Sequence, residues 1–421
     1  MSAAPPTTVV PPVEVPAAPA PTVGSHVRDY LARVRGGDMG ALPAVLGLIV
    51  LCAVFATLRP NFMTEGNFAN LFTQGAAVML IAMGLVFVLL LGEIDLSAGF
   101  ASGVCAAVLA QLVTLQGYPW YVAVAAALVT GVVIGLVIGF LVAKVGIPSF
   151  VVTLAAFLAF QGIVLLLIKG GTNVSVRDEV LVAIANRNMP PWLGWALALL
   201  GVAGYAVVQL LRHRNRSALG LVTAPLAVVL IRIGSLAAIA GTAVYLLNLE
   251  RSRNVLVSLK GVPIVVPIIV ILLVVLTFVL QRTAYGRHVY AVGGNREAAR
   301  RAGIDVDRIR ISVFVICSTM AAIGGIVAAS RATSVDANTG GSKVLLYAVG
   351  AAVIGGTSLF GGKGRIVDAV LGGAVIAVID NGMGLLGRSS GFTFVVTGLV
   401  LLLAASVDAL SRRRAAATGN R

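Results

Sequence analysis

Hydrophobic residues form long runs along most of this chain, and charged residues are confined to short segments between the runs. Twelve runs approach the roughly 20 apolar residues that a helix needs to cross a bilayer. Lipid offers no water to unpaired peptide groups, so such runs predict membrane-spanning helices. We therefore predict an all-α, polytopic transmembrane bundle of about twelve spans (ten to twelve), near residues 41–58, 73–91, 97–115, 120–142, 149–168, 192–211, 221–247, 262–280, 311–329, 344–360, 366–386 and 392–409.

The composition favours lipid over water as the solvent of this domain. The chain is 59% hydrophobic and 11% charged, with a mean hydropathy of +1.01, whereas soluble domains carry about 25% charged residues. Glycine is abundant, at 48 residues, and the segments rich in it are apolar. Small residues let helices pack closely in lipid, where no hydrophobic effect drives them together.

Three regions follow from this pattern. Residues 1–40 are rich in proline at their start and predict a disordered tail. Residues 41–410 form the predicted transmembrane domain, which carries a long basic loop at 281–310. Residues 411–421 form a basic tail.

The distribution of basic residues predicts the orientation. A net charge of +15 would indicate nucleic acid in a soluble protein, but here the basic residues lie in short loops, and we expect no nucleic-acid partner. With the N-terminus inside, the inner segments hold 20 lysines and arginines and the outer segments hold ten. Arg232, within the weakest span, is the remaining one. This bias predicts that both termini are cytoplasmic.

The loop at 281–310 contains signals for a short helix at about 296–302. Asn295 can cap its first turn, Glu297 suits the positive N-terminal end, and Gly303 can close the C-terminus. Small alanines and two arginines could contact a partner protein. A solvated loop that only sets topology is the alternative. The candidate docking residues are Glu297, Ala298, Ala299, Arg300, Arg301 and Gly303.

Two further segments carry unusual polar or glycine-rich patterns at the ends of apolar runs. The first holds two carboxylates, which are costly there unless they are wet or paired, and a serine, Ser97, that could cap the next helix. A tight surface turn is the alternative. The second fails the phosphate-loop template, because Thr357 and Gly364 stand where glycine and Ser/Thr are required. The candidate residues are Gly92, Glu93, Asp95, Leu96, Ser97 and Gly99 in the first, and Gly355, Gly356, Ser358, Gly361, Gly362 and Gly364 in the second.

Together these three segments resemble the motifs of ABC importer permeases for ribose, arabinose and xylose. The apolar stretch after Arg212–Arg216 is similar to the xylose type. The resemblance implies a permease subunit in the bacterial cytoplasmic membrane that imports a monosaccharide. It implies a homodimer, a cytoplasmic ATPase of the tandem-cassette kind that docks on the 281–310 loop, and an extracytoplasmic sugar-binding protein.

Other functions have less support in the sequence. An ion-coupled secondary transporter usually places ionisable residues mid-span, and Arg232 is the main candidate. A membrane-embedded transferase or flippase needs a catalytic cluster, and we recognise no catalytic, metal or cofactor site in the sequence. Asp368 and Asp380 are interpreted either as helix-end residues or as residues that line the pathway. The sequence does not indicate which residues bind the substrate.

Overall fold

The computed structural model describes residues 40–417 except 170–171, 222 and 253–257, and also residues 24–25, 28 and 32. Within this part the regular secondary structure is helical apart from one pair of two-residue strands, and turns and loops connect the elements. The helices are α1 (Leu42–Leu58), α2 (Glu65–Leu90), α3 (Ala98–Ala110, continued by the π-helical turn Gln111–Leu115), α4 (Trp120–Phe140, continued by the π-helical turn Leu141–Val145), α5 (Ser149–Leu167), α6 (Glu179–Asn186), α7 (Pro191–Ala218), α8 (Leu226–Asn248), α9 (Val265–Arg282), α10 (Ala284–Gly294), α11 (Arg296–Arg301), α12 (Val306–Ala332), α13 (Ser342–Gly355), α14 (Ile366–Leu385) and α15 (Ser390–Ala417).

Each predicted span contains one apolar helix. Among the described residues, ten helices are long and apolar enough to cross a membrane, and α1 and α13 are shorter. The predicted span at 344–360 is too long, because α13 ends at Gly355. Gly356 follows with a φ of +116°, which turns the chain out of the helix. An all-α polytopic membrane protein is therefore confirmed.

The core of the bundle is built around α12, which packs against α2, α3 and α4. Gly131, Gly135 and Gly139 recur every fourth residue on α4 and face the backbone of α12. A Cβ at Gly135 would lie 2.5 Å from the Cα of Val315, so a larger residue would force the two helices apart. The stripe explains why the apolar segments are rich in glycine.

The helix ends form two groups at opposite ends of the bundle. At one end, which we call the loop end, Lys144 after α4 pairs with Asp307 at the start of α12, at 3.0 Å. At the other, the far end, Asn188 before α7 forms a bridge with Pro263 before α9. The strands β1 (Val174–Ser175) and β2 (Ser334–Val335) pair antiparallel, also at the far end.

The predicted tails are only partly described. The proline-rich tail at 1–40 lies outside the described residues, apart from 24–25, 28, 32 and 40. At the other terminus, the backbone of α15 remains helical to Ala417, so this helix includes most of the predicted basic tail. Residues 418–421 lie outside the described residues.

Candidate functional site

The basic loop contains the short helix that the sequence predicts. Asn295 Oδ1 accepts a hydrogen bond from the Ala298 backbone N–H at 2.9 Å and so caps α11. Glu297 lies in the first turn. The chain leaves the helix through Gly303, whose φ of +81° glycine adopts without a steric cost. The prediction of a capped helix is confirmed.

The two alanines of α11 lie on different faces. Glu297, Ala298 and Arg300 are exposed, but Ala299 is only 4% exposed and packs into the core of its own chain. The expectation that both alanines face a partner is therefore wrong for Ala299. Glu297 Oε1 lies 3.4 Å from Arg301 Nε in the same helix. Both side chains are exposed, so the outer face of α11 is polar.

A second helix in the loop, α10, was not predicted. Its N-terminus is capped by Thr283, whose Oγ1 accepts a hydrogen bond from the Gly286 N–H at 3.2 Å. The Tyr285 hydroxyl lies 2.8 Å from Ser312 Oγ on α12. Burial raises the pKa of Tyr285 to about 12. The hydroxyl therefore stays protonated and holds α10 on the bundle.

Glu93 joins the loop to the membrane helices. Its carboxylate is 5% exposed, and its Oε1 accepts hydrogen bonds from Arg296 Nη2 at 2.7 Å and from Arg310 Nε and Nη2 at 3.0 and 2.8 Å. Arg296 Nη2 also donates to the Leu91 carbonyl at 3.1 Å. A buried carboxylate is costly unless it is paired, and here two guanidinium groups from α11 and α12 pair with it. Of the two ways in which this carboxylate could be tolerated, pairing therefore applies and solvation does not.

The glycine-rich turn after α13 reaches the same place. The Gly362 N–H donates to the Leu90 carbonyl at 2.8 Å, and the Tyr290 hydroxyl donates to the Gly364 carbonyl at 2.7 Å. Gly293 lies so close to Leu90 that a Cβ would overlap the Leu90 carbonyl oxygen. The three motifs therefore meet at one site, which we call the motif junction: Glu93, Gly293, Arg296, Arg310 and Gly362.

Asp95 and Ser97 are buried beside the junction. The Ser97 N–H and hydroxyl donate to Asp95 Oδ1 at 2.9 and 2.6 Å. Ser97 stands at the N-cap of α3 but makes no side-chain capping bond, so the capping prediction is wrong, because the hydroxyl binds Asp95 instead. Asp95 is 1% exposed, and burial raises the pKa of its carboxyl above the ordinary value.

The remaining candidate residues of the two segments lie at helix contacts or in the glycine-rich turn after α13. Gly99 faces the Gly340 carbonyl oxygen, which would lie 2.7 Å from a Cβ, and Gly355 packs directly against the Asp368 carbonyl. Leu96 is half-buried. The Ser358 N–H donates to the Lys363 carbonyl at 2.8 Å, and Gly356 and Gly361 adopt left-handed φ values of +116° and +85°.

In the turn before α14, the carboxylate of Asp368 bonds to the backbone and side chain of Arg365. Asp368, 2% exposed, accepts a hydrogen bond from the Arg365 N–H at 2.8 Å and pairs with the Arg365 guanidinium at 2.9 Å. A phosphate at a helix N-terminus needs free N–H groups, and a carboxylate already occupies this one. The geometry favours a structural turn over a phosphate loop and identifies Asp368 as a helix-end residue.

The bundle defines the chain as an all-α, multi-pass membrane protein. The family model described as "Branched-chain amino acid transport system / permease component" matches residues 67–405, so the chain belongs to this permease family.

Similar proteins agree with this assignment. The xylose transport system permease protein XylH of Escherichia coli K12 is 37% identical over 372 residues, covering 88% of this chain and 92% of that protein. XylH of Haemophilus influenzae is 32% identical over 371 residues (88% and 96%), and the ribose import permease protein RbsC of E. coli K12 is 31% identical over 365 residues (87% and 92%). No solved structure matches the chain. The resemblance to sugar-importer permeases is confirmed.

Proposed function

We propose that the chain is the membrane-spanning subunit of an ATP-driven importer that carries a monosaccharide across the bacterial cytoplasmic membrane. The observation that carries this proposal is the motif junction. An exposed, capped helix, α11, is tied by Arg296 to Glu93, where α2 leads into α3. XylH is a xylose transport permease and RbsC a ribose import permease, which supports a pentose as the substrate of this chain, and xylose is the first sugar to test.

In this proposal the loop end faces the cytoplasm and the chain crosses the membrane twelve times. The 20-to-10 distribution of basic residues supports that orientation. The order of the helix ends supports an even number of crossings: α1 starts near the turn after α13, since Gly40 lies beside Gly356, and the starts of α7 and α9 meet at the far end. Both termini are then cytoplasmic.

The energy source in this proposal is a separate ATPase, and tandem cassettes are the expected form. The exposed face of α11, with Glu297, Ala298 and Arg300, is the docking surface for it. Two copies of the chain form the pathway, and an extracytoplasmic binding protein delivers the sugar to the far end. The apolar outer faces of α7, α8 and α15 contact lipid or the second copy.

The junction gives a physical route for coupling. A displacement of α11 by the ATPase moves Arg296, which is bonded to Glu93 and to the Leu91 carbonyl. Those groups stand between α2 and α3, and Glu93 is also bonded to Arg310 on α12. Because helices move as rigid elements, a shift at this point repositions the helices at the core of the bundle.

Reconstitution of the permease with its ATPase and binding protein in liposomes tests the function. Labelled xylose should enter when ATP and both partners are present and should not enter when either partner is omitted. Xylose uptake by the permease without an ATPase would contradict the proposal.

An ion-coupled transporter is the second candidate, because charged residues do lie within the far ends of the helices, among them Asp380 and Arg331. Arg232, the candidate from the sequence, is exposed on α8 and faces away from the core. Uptake that persists without ATP and is abolished by a protonophore or by sodium removal would favour this candidate.

A further inference from the structure

The far end of the bundle holds a polar cluster outside all three motifs. Asn67, Asn70 and Gln74 follow one another on α2 at spacings of three and four residues, so they share one face of the helix. From Gly75 to Leu90 the helix is apolar and mostly buried. Polar side chains among apolar helices are costly unless they bond to one another or line the path of a polar solute.

Asp380 of α14 is the centre of this cluster. Its Oδ2 accepts a hydrogen bond from Gln74 Nε2 at 2.8 Å, and its Oδ1 accepts bonds from Lys343 Nζ and the Tyr347 hydroxyl, both at 3.1 Å. Each of these bonds joins α14 to another helix, α2 or α13. Lys343 balances the charge of Asp380, so the pair suits a neutral ligand better than a cation.

Asn381 lies beside Asp380 and is only 6% exposed. Its Nδ2 donates to Asn67 Oδ1 at 2.9 Å and to Gln74 Oε1 at 3.2 Å. Its buried Oδ1 has no hydrogen-bond partner within the described part of the chain. An unpaired buried amide oxygen is costly, and a donor from a ligand would satisfy it.

Arg331 of α12 completes the cluster. Its guanidinium donates to Thr73 Oγ1 at 2.6 Å and to Asn70 Oδ1 at 3.0 Å. Both acceptors are neutral side chains of α2. The cluster therefore combines amides, hydroxyls, one carboxylate and two cations, drawn from four helices.

This mixture matches the chemistry of a sugar. Each sugar hydroxyl both donates and accepts a hydrogen bond, so it can replace a bond between two side chains without leaving either one unpaired. Tyr347 and Phe394 lie edge to face, with ring centroids 6.5 Å apart, and add aromatic surface beside the polar groups. The bonds between Gln74 and Asp380, and between Asn381 and Asn67, are the ones that such hydroxyls would replace.

We propose that this far-end cluster, Asn67, Asn70, Thr73, Gln74, Arg331, Lys343, Tyr347, Asp380 and Asn381, is the site at which the permease binds a neutral monosaccharide. The proposal rests on the proposed function of the chain. The helices that carry the cluster also lead to the motif junction. On α2, Leu90 lies about 24 Å from Gln74 along the helix axis. On α12, Arg310 lies near the start of the helix and Arg331 near its end. Sugar hydroxyls that replace the bonds between α2 and α14 would loosen these helices at the far end. In the proposed function the ATPase moves α2 as well, from the loop end.

Transport of sugars that lack one hydroxyl group tests this site. The complete transporter with Gln74→Met or Asn381→Leu would be compared with wild type for uptake of xylose and of the monodeoxy-xyloses. A matched control is Thr130→Val on α4, whose hydroxyl donates within its own helix, to the Ala126 carbonyl. The same binding protein is used throughout, so its preference among the sugars cancels when the uptake of each sugar by a variant is divided by its uptake by wild type.

The variants at the site should lower xylose uptake about ten-fold. For at least one monodeoxy-xylose, the uptake rate should fall much less between wild type and variant than it does for xylose. Thr130→Val should leave both the rate and the ratios unchanged. If uptake falls but the ratio of deoxy-xylose to xylose uptake stays as in wild type, the cluster only packs the helices. That result would overturn this inference and leave the proposed function standing. If wild type moves no monosaccharide, the proposed function and this inference are both wrong.

Accessibility gives a second measurement that does not depend on the transport rate of a variant. In a background without the native cysteines, Gln74→Cys should react with a small water-soluble thiol reagent, and xylose should slow the reaction. Met63→Cys, in the exposed turn before α2, is the control and should react equally fast with and without xylose. No reaction at Gln74→Cys, or equal rates with and without xylose, would overturn the proposal.

Discussion

At the scale of single residues, Glu93 is the group that ties three elements together. Its two partners differ in their surroundings: the Arg310 side chain is 15% exposed and the Arg296 side chain is 43% exposed. Loss of Glu93 would leave the partly buried Arg310 charge uncompensated, and the cost of breaking a fully buried pair, about 3–5 kcal/mol, is the upper bound for this loss. Arg296 can be removed at far smaller cost, so it is the better residue for testing coupling separately from folding.

Arg296→Ala should uncouple the transporter. The ATPase should still co-purify and hydrolyse ATP, because the exposed face of α11 is intact, but sugar uptake should fall about ten-fold, since a loss of ~1.4 kcal/mol in one contact has that effect. Arg308→Ala is the matched control, because Arg308 is exposed and its ion pair among the described residues is with the nearby Asp305, at 2.9 Å. Equal uptake in the two variants would remove Arg296 from the coupling route.

Asp95 should be needed as a hydrogen-bond acceptor and not as a charge. Asp95→Asn keeps an oxygen for the Ser97 N–H and hydroxyl, whereas Asp95→Ala leaves both donors buried without an acceptor, at a cost of about 1–3 kcal/mol. The thermal unfolding midpoint in detergent should therefore fall for the alanine variant and stay near wild type for the asparagine variant. Equal falls would contradict this role.

The stability of wild type should also depend on pH through Asp95. Burial raises the pKa of this carboxyl above its ordinary value of 3.8, so the folded chain binds the proton more tightly than the unfolded chain. The stability that this proton confers is present below pH 3.8 and is lost as the pH rises towards the raised pKa. Asp95→Asn lacks the titrating group, so its unfolding midpoint should not show this part of the pH dependence.

At the scale of elements, local signals predicted the helices well and tertiary contacts decided the rest. α11 was predictable because Asn295, Glu297 and Gly303 act within a few residues of one another. The hydrogen-bond partner of the Ser97 hydroxyl could not be predicted in this way, because the choice between capping α3 and binding Asp95 depends on how the segment is buried. α10 contains three glycines and was missed, since its contact with Ser312 lies 27 residues further along the chain.

The two alanines of α11 make a sharp test of docking. Ala298→Trp places bulk on the exposed face and should prevent co-purification of the ATPase while the permease keeps its normal level in the membrane. Ala299→Trp places the same bulk in the core, where overpacking costs about 1–3 kcal/mol or more, so it should lower the level of the permease itself.

Gly303→Asp should resemble Ala298→Trp, because it strains a left-handed residue and opposes the dipole at the C-terminus of α11. Normal ATPase retention and uptake in both Ala298→Trp and Gly303→Asp would reduce the loop to a topology signal.

At the scale of the whole molecule, the apolar runs specified the helices but not which helix ends meet. Glu93 and Arg310 are 217 residues apart, and Gln74 and Asp380 are 306 apart, so neither pair follows from any local pattern. Two features of the sequence pointed to the far-end cluster: the spacing of Asn67, Asn70 and Gln74, and the position of Asp380 as an acidic residue near a span. Both polar sites therefore depend on the alternating directions of the helices.

That alternation predicts the sides of the membrane on which the segments lie. Reporters fused at residues 30 and 415 should both report the cytoplasm, because an even number of crossings returns the chain to the side where it starts. A small accessible tag beside Asp336, in the far-end turn between α12 and α13, should report the opposite side and serves as the matched control. α12 connects Asp307, paired with Lys144 at the loop end, to this turn, so residues 307 and 336 must lie on opposite sides if α12 crosses the membrane. A shared side for residues 336 and 415 would contradict the three crossings, by α13, α14 and α15, that the proposal places between them. An extracytoplasmic signal at either terminus would rule out twelve crossings.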